Sequence, residues 1–441
     1  MTKKIYEMNE NEIDEFIQKH LPVKKAEKDK YGEVFTHPIL INKMLDLFPP
    51  RVYENPELRW LDPSVGAGFF MIFVYIRLMH GLKKWQPNKK KRSQHIIQNM
   101  LHMVELNNAN CKICKTIFGA DLQIICGDFL GDTPYALASF DCIVGNPPFQ
   151  DDYAHKTTLR VNGGKSKLYE RIFLKSISLL KDGGYLSFVV PDNIFSGNGS
   201  QSYKTLMEYN VPFVSFNPEN QDYFQKIQQP VCYFLLNKTT NKNQLTTLEH
   251  SNQLTFKIKL EDRPANPIRN WTPTTEKLIK RFVSNQRNNV SYVRGKDLAS
   301  YKGNKYPIIY TKNKMLHTNK LELATGFGVK KAVLFSISPN LEFKMDYAGN
   351  NGCGPNTFFI PFSTNKEGKQ IEQFLNSDDY KTLALATKTT RQYLKIAFIE
   401  HLKLTTIFKH NTTNKRRRTN KRRRTNNNKK KNVNNKTRKH K

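Results

Sequence analysis

Phe140-Asp141-Cys142-Ile143-Val144-Gly145-Asn146-Pro147-Pro148-Phe149 decides how the chain is organised. An apolar run that rises as a buried strand and stops on Asn-Pro-Pro-Phe makes a stiff loop at the strand's carboxyl end, because two prolines fix φ and remove two backbone donors. An Asn amide beside a Pro-bounded carbonyl can accept both hydrogens of one exocyclic amino group, and an aromatic three residues on can stack on a planar base or a cationic methyl donor. Asn146 and Phe149 are therefore the first candidate functional residues. The tetrapeptide alone is equally compatible with an ordinary loop, so its context has to decide.

Upstream, Leu58 to Leu61 reads as a short strand followed by Asp62-Pro63-Ser64-Val65-Gly66-Ala67-Gly68-Phe69, which opens a helix from Phe70 to His80. Glycines at 66 and 68 let a ligand approach the backbone at an electropositive helix start. The turn is Rossmann-like but has only two glycines and a leading Asp-Pro, which suits a nucleotide-like cofactor without a pyrophosphate. After a basic loop, Lys83 to Arg92, the pattern repeats: strand Leu101 to Val104 ending in Glu105, helix Asn108 to Phe118, strand Gln123 to Cys126 ending in Gly127-Asp128. Acids at the ends of successive parallel strands can hold a ribose and an adenine, or can cap the next helix.

Beyond the Asn-Pro-Pro-Phe loop come a polar loop, Gln150 to Lys165, a helix from Leu168 to Leu180, a Lys181-Asp182-Gly183-Gly184 cap and a buried strand from Tyr185 to Val190. Val211 to Phe216 and Val231 to Leu236 read as further strands. An Asn/Thr/Lys-rich break, Thr239 to Asn252, ends the first domain near residue 240. Alternating strands and helices with short connectors predict an open α/β sheet, mostly parallel and doubly wound, with its ligand at the carboxyl edge. From about 255 to 408 short strands (Tyr306 to Tyr310, Lys331 to Ser336, Thr357 to Pro361) alternate with Gly/Asn-rich loops, and two helices follow, Gly368 to Leu375 and Thr382 to His401.

A chain of 441 residues predicts two globular domains plus tails. Hydrophobic content of 38%, with 28 Phe and 19 Tyr, excludes a disordered protein. The net charge of +33, from 71 Lys and Arg against 38 Asp and Glu, predicts a polyanionic partner. Part of the surplus lies in 411–441, where Thr-Asn-Lys-Arg-Arg-Arg runs twice in succession; this basic tail cannot bury enough surface to fold. It reads as a nucleic-acid tether, as targeting to a nucleus or viral factory, or as a merely solvated run. Of the six cysteines only Cys111 and Cys114 have metal-like spacing, and with no second pair nearby a three-residue offset on a helix is the expected reading, with no metal and with reduced thiols in an intracellular compartment. No signal peptide or membrane-length apolar stretch is found, so a soluble chain without a membrane partner is expected.

Taken in order, these motifs resemble the gamma group of DNA adenine-N6 methyltransferases, the TaqI-like amino-methyltransferases of restriction-modification systems. Gly32-Glu33-Val34-Phe35-Thr36 is similar to the family's amino-terminal methyl-donor motif, and Asp62 to Phe69 to its Gly-rich motif. Glu105 resembles its ribose acid, Gly127-Asp128-Phe129-Leu130 its adenine-edge segment, and Asn146 to Phe149 its catalytic motif. Leu168-Tyr169, Gly183-Gly184 and Phe188-Val189-Val190-Pro191 also fall where the family has similar residues, and Phe224 matches an aromatic that stacks on a flipped base. The likeness covers about 31 to 240.

The resemblance implies a Rossmann-like class I methyltransferase domain over 31–240, behind an N-terminal helical extension over 1–30, with a mixed α+β target-recognition domain over 255–408. It implies S-adenosyl-L-methionine as cofactor, held by Thr36, Asp62, Pro63, Gly66, Gly68, Glu105, Asp128, Phe129 and Asn146. Catalysis would fall to Asn146, Pro147, Pro148 and Phe149, with Phe149 and Phe224 holding an adenine of double-stranded DNA. Asn at the motif's first position favours adenine over cytosine. Thirty leading residues are too few for a nuclease, so any cognate restriction endonuclease would be separate, and a monomer is expected. Methylation of RNA or of a protein glutamine at the same site, or a silent DNA-binding module, are the alternatives left open.

Overall fold

The computed structural model describes residues 5–8, 12, 15, 36–132, 134–149, 167–195, 200–224, 230–240, 244–251, 254–260, 270–288, 290–293, 298–387 and 396–408. Of the helix expected between Asn9 and Gln18 only Glu12 and Glu15 are described, both helical; the segment Gly32 to Phe35, the loop Gln150 to Lys165 and the tail 411–441 lie outside the described residues. The chain forms two compact units, Met1–Asp262 and Arg263–Lys441.

The first unit holds α1 (Pro38–Leu45), β1 (Trp60–Asp62), α2 (Phe69–Gly81), α3 (Lys89–His95), β2 (Leu101–Glu105), α4 (Asn108–Phe118), β3 (Gln123–Cys126), β4 (Phe140–Gly145), α5 (Leu168–Leu179), β5 (Leu180–Pro191), α6 (Gln201–Glu208), β6 (Asn210–Ser215), β7 (Val231–Asn237), β8 (Thr246–Ser251) and β9 (Leu254–Ile258). The nine strands form one sheet in the order β3-β2-β1-β4-β5-β7-β6-β8-β9. β7 runs antiparallel to β5 and β6, and β9 antiparallel to β8; all other pairs are parallel. The uniformly buried β2 and the nearly buried β4 are what the continuous apolar runs predict for strands covered on both faces.

Several sequence readings change here. The sheet does not end near residue 240: β8 pairs in parallel with β6 (Phe213↔Thr247 to Ser215↔Glu249) and extends the first unit past the Asn/Thr/Lys-rich break. Its polar, partly exposed residues gave no apolar run to read. Gly183-Gly184 is not a helix cap. α5 ends at Leu179 and the glycines continue β5, where the Gly183 amide donates to Lys238 O at 2.8 Å. The basic loop is helical from Lys89, capped by Asn88, and α6 is capped by Ser200, whose Oγ accepts from the Tyr203 amide. Cys111 and Cys126 are joined as a disulfide between α4 and β3, so the expectation of six reduced thiols is corrected for this pair; Cys114, Cys142, Cys232 and Cys353 are free and buried.

The second unit contains α7 (Pro273–Phe282), β10 (Ser291–Val293), β11 (Tyr306–Ile309), β12 (Met315–Thr318), β13 (Lys331–Phe335), β14 (Phe343–Asp346), β15 (Gly352–Cys353), β16 (Thr357–Pro361), α8 (Asn365–Leu375), α9 (Asp378–Thr387) and α10 (Ile396–Glu400). Four strands pair as β10-β16-β13-β14 and three as β12-β11-β15. The expected helix from Thr382 to His401 is instead α9 and α10, with 388–395, including Arg391, outside the described residues. Lys331 of β13 is not at the surface. It is fully buried, and its ammonium donates to Asp346 Oδ2 (2.8 Å), Val329 O (2.9 Å) and Asn351 O (2.6 Å), which ties the Gly349–Gly354 loop to β13. No helix among the described residues is long and apolar enough to cross a membrane.

Candidate active site

β1, β2 and β4 are adjacent and parallel, so their carboxyl ends place Asp62, Glu105 and the Asn146–Phe149 loop along one edge, at the point where the strand order reverses. Asp62 is 1% exposed and accepts from the Ser64 amide at 3.0 Å. Burial pushes its carboxyl up to about 8, against the Ser64 N–H and with help from the neighbouring Glu105. Gly145 is what lets β4 close on it: a Cβ there would lie 2.8 Å from Asp62 Oδ1.

The Gly-rich turn is built as the two glycines require. Gly66 has φ 55 and Gly68 φ 92, both left-handed, and Gly68 is the N-cap of α2. Glu105 braces this turn, with Oε2 accepting from the Gly66 amide (2.7 Å) and Oε1 from the Asn107 amide (2.7 Å). Burial raises its pKa and those two N–H groups oppose the rise. The next residue, Leu106, is 43% exposed beside it, an apolar surface at the strand end that the sequence reading passed over. Gly127 donates to Glu105 O at 2.9 Å, which brings half-buried Asp128 alongside; its Oδ1 accepts from Leu130 N at 2.9 Å. Phe129 is buried, with the Lys175 ammonium 5.2 Å from its ring centre.

Asn146 is oriented from the other side. Its Nδ2 donates to Thr36 Oγ1 at 2.9 Å, so the acceptor oxygen occupies the opposite branch of the amide. Thr36 is 5% exposed and directly precedes His37, whose Nδ1 accepts from Ile39 N at the start of α1. Pro147 is buried and Pro148 and Phe149 are half-buried. Phe149 meets Tyr169 edge-on, with centroids 6.4 Å apart. Fully buried Tyr169 is fixed by its hydroxyl, which lies 2.6 Å from Asn193 Oδ1 and 3.2 Å from Glu170 Oε1, so the Phe149 ring rests on a braced neighbour.

One site residue read from sequence is not placed to act. Phe224 is 4% exposed and belongs to the core, so it has no face to offer a base. The ring beside it, Tyr223, is half-buried and stands 5.8 Å from the His37 ring and 5.4 Å from the Lys43 ammonium. The structure thus gathers Thr36, Asp62, Gly66, Gly68, Glu105, Asp128 and Asn146 to Phe149 around one edge and withdraws Phe224 into the core. The chemistry of that edge fits a methyl-donor nucleoside: three acids, Asp62, Glu105 and Asp128, a glycine turn without side chains to block an approaching ligand, and the apolar Leu106 shelf.

Comparison with known proteins agrees. Residues 73–220 match the Eco57I restriction-modification methylase family. A Mycoplasma pneumoniae protein described as an uncharacterized adenine-specific methylase is 24% identical over 290 residues, covering 46% of this chain and 66% of its own length. Two solved structures share the fold. The type IIL restriction-modification enzyme MmeI, in complex with DNA, has a TM-score of 0.53 at 11% identity over 86% of this chain and 69% of its own. A nuclease-deletion mutant of the type ISP enzyme LlaGI, in complex with a DNA substrate mimic, has a TM-score of 0.51 at 12% identity over 88% of this chain and 47% of its own. The first unit therefore has the class I fold of S-adenosylmethionine-dependent methyltransferases, and residues 73–220 within it match the restriction-modification methylase family.

Proposed function

We propose that the chain transfers a methyl group from S-adenosylmethionine to the N6 amino group of adenine in double-stranded DNA, at a specific sequence. The observation that carries this reading is the Asn146 amide, held by Thr36 at 2.9 Å on a Pro-Pro-stiffened loop at the same edge as Asp62 and Glu105. S-adenosylmethionine, when bound, supplies an electrophilic methyl on a sulfonium sulfur. Glu105 and Asp128 would hold its nucleoside, and the Gly66–Gly68 turn would lie against it.

The chain's own residues do the rest by position. A target adenine has to leave the duplex stack to reach this edge, and Phe149 with Tyr223 would flank its ring. Asn146 Oδ1 and the Pro147 carbonyl accept the two amino hydrogens, which localises the nitrogen lone pair and aims it. With the lone pair so aimed at the donor's methyl, the extra proton on N6 would leave for water once the methyl is taken up, so none of these residues would have to act as a general base. The second unit would read the sequence, any cognate restriction endonuclease would be a separate protein, and the chain would act as a monomer.

The test is transfer of labelled methyl to unmethylated duplex DNA beside RNA and a protein extract, with nucleoside analysis. N6-methyladenine in DNA supports the reading; label in RNA or protein only would overturn the acceptor.

A further inference from the structure

Between Asp62 and Glu105 the chain has no Asp or Glu, yet it carries two arginines and five lysines. The arginines are used internally. Arg77 pairs with Asp46 at 2.6 Å, and buried Arg92 donates to Gln86 O and to Pro87 O (3.2 Å). Lys83, Lys84, Lys89, Lys90 and Lys91 are all exposed and make no ion pair with any described residue.

These lysines stand on a built platform. Arg92 pins the 86–87 backbone from below, and Asn88 caps α3 by accepting from Lys91 N at 3.0 Å. His95 lies 3.0 Å from Pro56 O, and its ring is 4.5 Å from that of Trp85, which is 46% exposed in the midst of the lysines.

The platform is also far from the candidate active site. α2 leaves the Gly66–Gly68 turn and runs 13 residues before Lys83, about 20 Å at helical rise. α3 then leads into the start of β2, whose far end carries Glu105. The lysines therefore sit at the amino edge of the sheet, opposite the edge that holds Asn146.

We propose that this platform is a second contact for duplex nucleic acid, gripping backbone phosphates outside the stretch that enters the methyl-transfer site. The partner class rests on the DNA reading above. Exposed ammonium groups that make no ion pair among the described residues, on a fixed scaffold, match a phosphate row and carry no base information. Trp85 is the lone large apolar side chain exposed among residues 81–95, which leaves no apolar face for a lipid surface or a protein core.

The experiment compares the full chain, basic tail included, with a variant carrying Lys→Gln at 83, 84, 89, 90 and 91. Binding of a long duplex of unrelated sequence is followed by fluorescence anisotropy over a salt series, and methyl transfer to a short duplex is followed in parallel. At about 0.9 per phosphate released, the slope of log K against log salt is expected to fall by roughly 3 or more in the variant, with methyl transfer to the short duplex unchanged. The partial variants Lys83→Gln/Lys84→Gln and Lys89→Gln/Lys90→Gln/Lys91→Gln should each remove part of the slope, and they keep the test open if the fivefold change fails to fold. An unchanged slope, or a change seen only with an acidic peptide competitor, overturns the proposal. A reduced slope in a chain that methylates no DNA would uphold this platform while refuting the catalytic reading.

Discussion

Asn146 Nδ2 donates to Thr36 Oγ1 across 2.9 Å and 110 positions of sequence. This bond joins the loop after β4 to the residue before His37, the N-cap of α1, and it decides which way the Asn146 amide faces. Thr36→Val keeps the volume and removes the acceptor, so methyl transfer is expected to fall roughly 10- to 100-fold through lost alignment. Thr36→Ser should retain most activity. Equal activity in wild type and Thr36→Val, measured as kcat on duplex DNA, would show that this bond does not orient the amide.

Tyr223 and Phe224 are adjacent, but one is half-buried at the edge and the other lies in the core. Phe224→Ala is expected to destabilise the first unit by about 3–5 kcal/mol, as for a buried aromatic. Tyr223→Ala should leave the unfolding midpoint nearly unchanged and weaken base extrusion, read as lower fluorescence of 2-aminopurine placed at the target adenine. The reverse pattern would return the stacking role to Phe224.

The edge was largely legible in the sequence because each of its residues ends an apolar run or stands on a Gly-rich turn, and such signals are local. What was not legible depends on distant partners. Thr36 finds Asn146, Tyr169 finds Asn193, and Cys111 finds Cys126 only after the sheet has assembled. β8 and β9 escaped because strands interspersed with Thr, Glu, His and Lys show no continuous apolar run, and Tyr223 could be told from Phe224 only by which ring the core takes. Lys331 looked like any surface lysine until β14 placed Asp346 against it.

Asp62 provides a pH signature. Its carboxyl titrates near 3.8 when unperturbed and is pushed up to about 8 in the fold by burial, so the folded chain binds more protons between those values. The contribution of Asp62 to stability then falls as pH rises from about 4 to about 8 and levels off above. Asp62→Asn removes this dependence. Denaturant unfolding at pH 5, 7 and 9 should show the gap between variant and wild type shifting in the variant's favour with pH; a gap that stays constant would mean Asp62 is ionised throughout.

In the second unit, Lys331→Met would leave Asp346 buried beside the amides of Gly349 and Asn351 without its counter-charge. Removing one partner of a buried pair costs about 3–5 kcal/mol. The loss should appear as a lowered denaturation midpoint, and Lys331→Met/Asp346→Leu should recover part of it. A single variant as stable as wild type would mean that the pair is not what holds the loop.

The central claim is that Asn146 presents an adenine amino group to a methyl donor. The most direct measurement is nucleoside analysis of duplex DNA incubated with labelled S-adenosylmethionine and either the wild-type chain or Asn146→Ala. N6-methyladenine from the wild type and none from Asn146→Ala, with cofactor binding retained by both, is the predicted result. Full activity in Asn146→Ala, or label found only in RNA or protein, would contradict it.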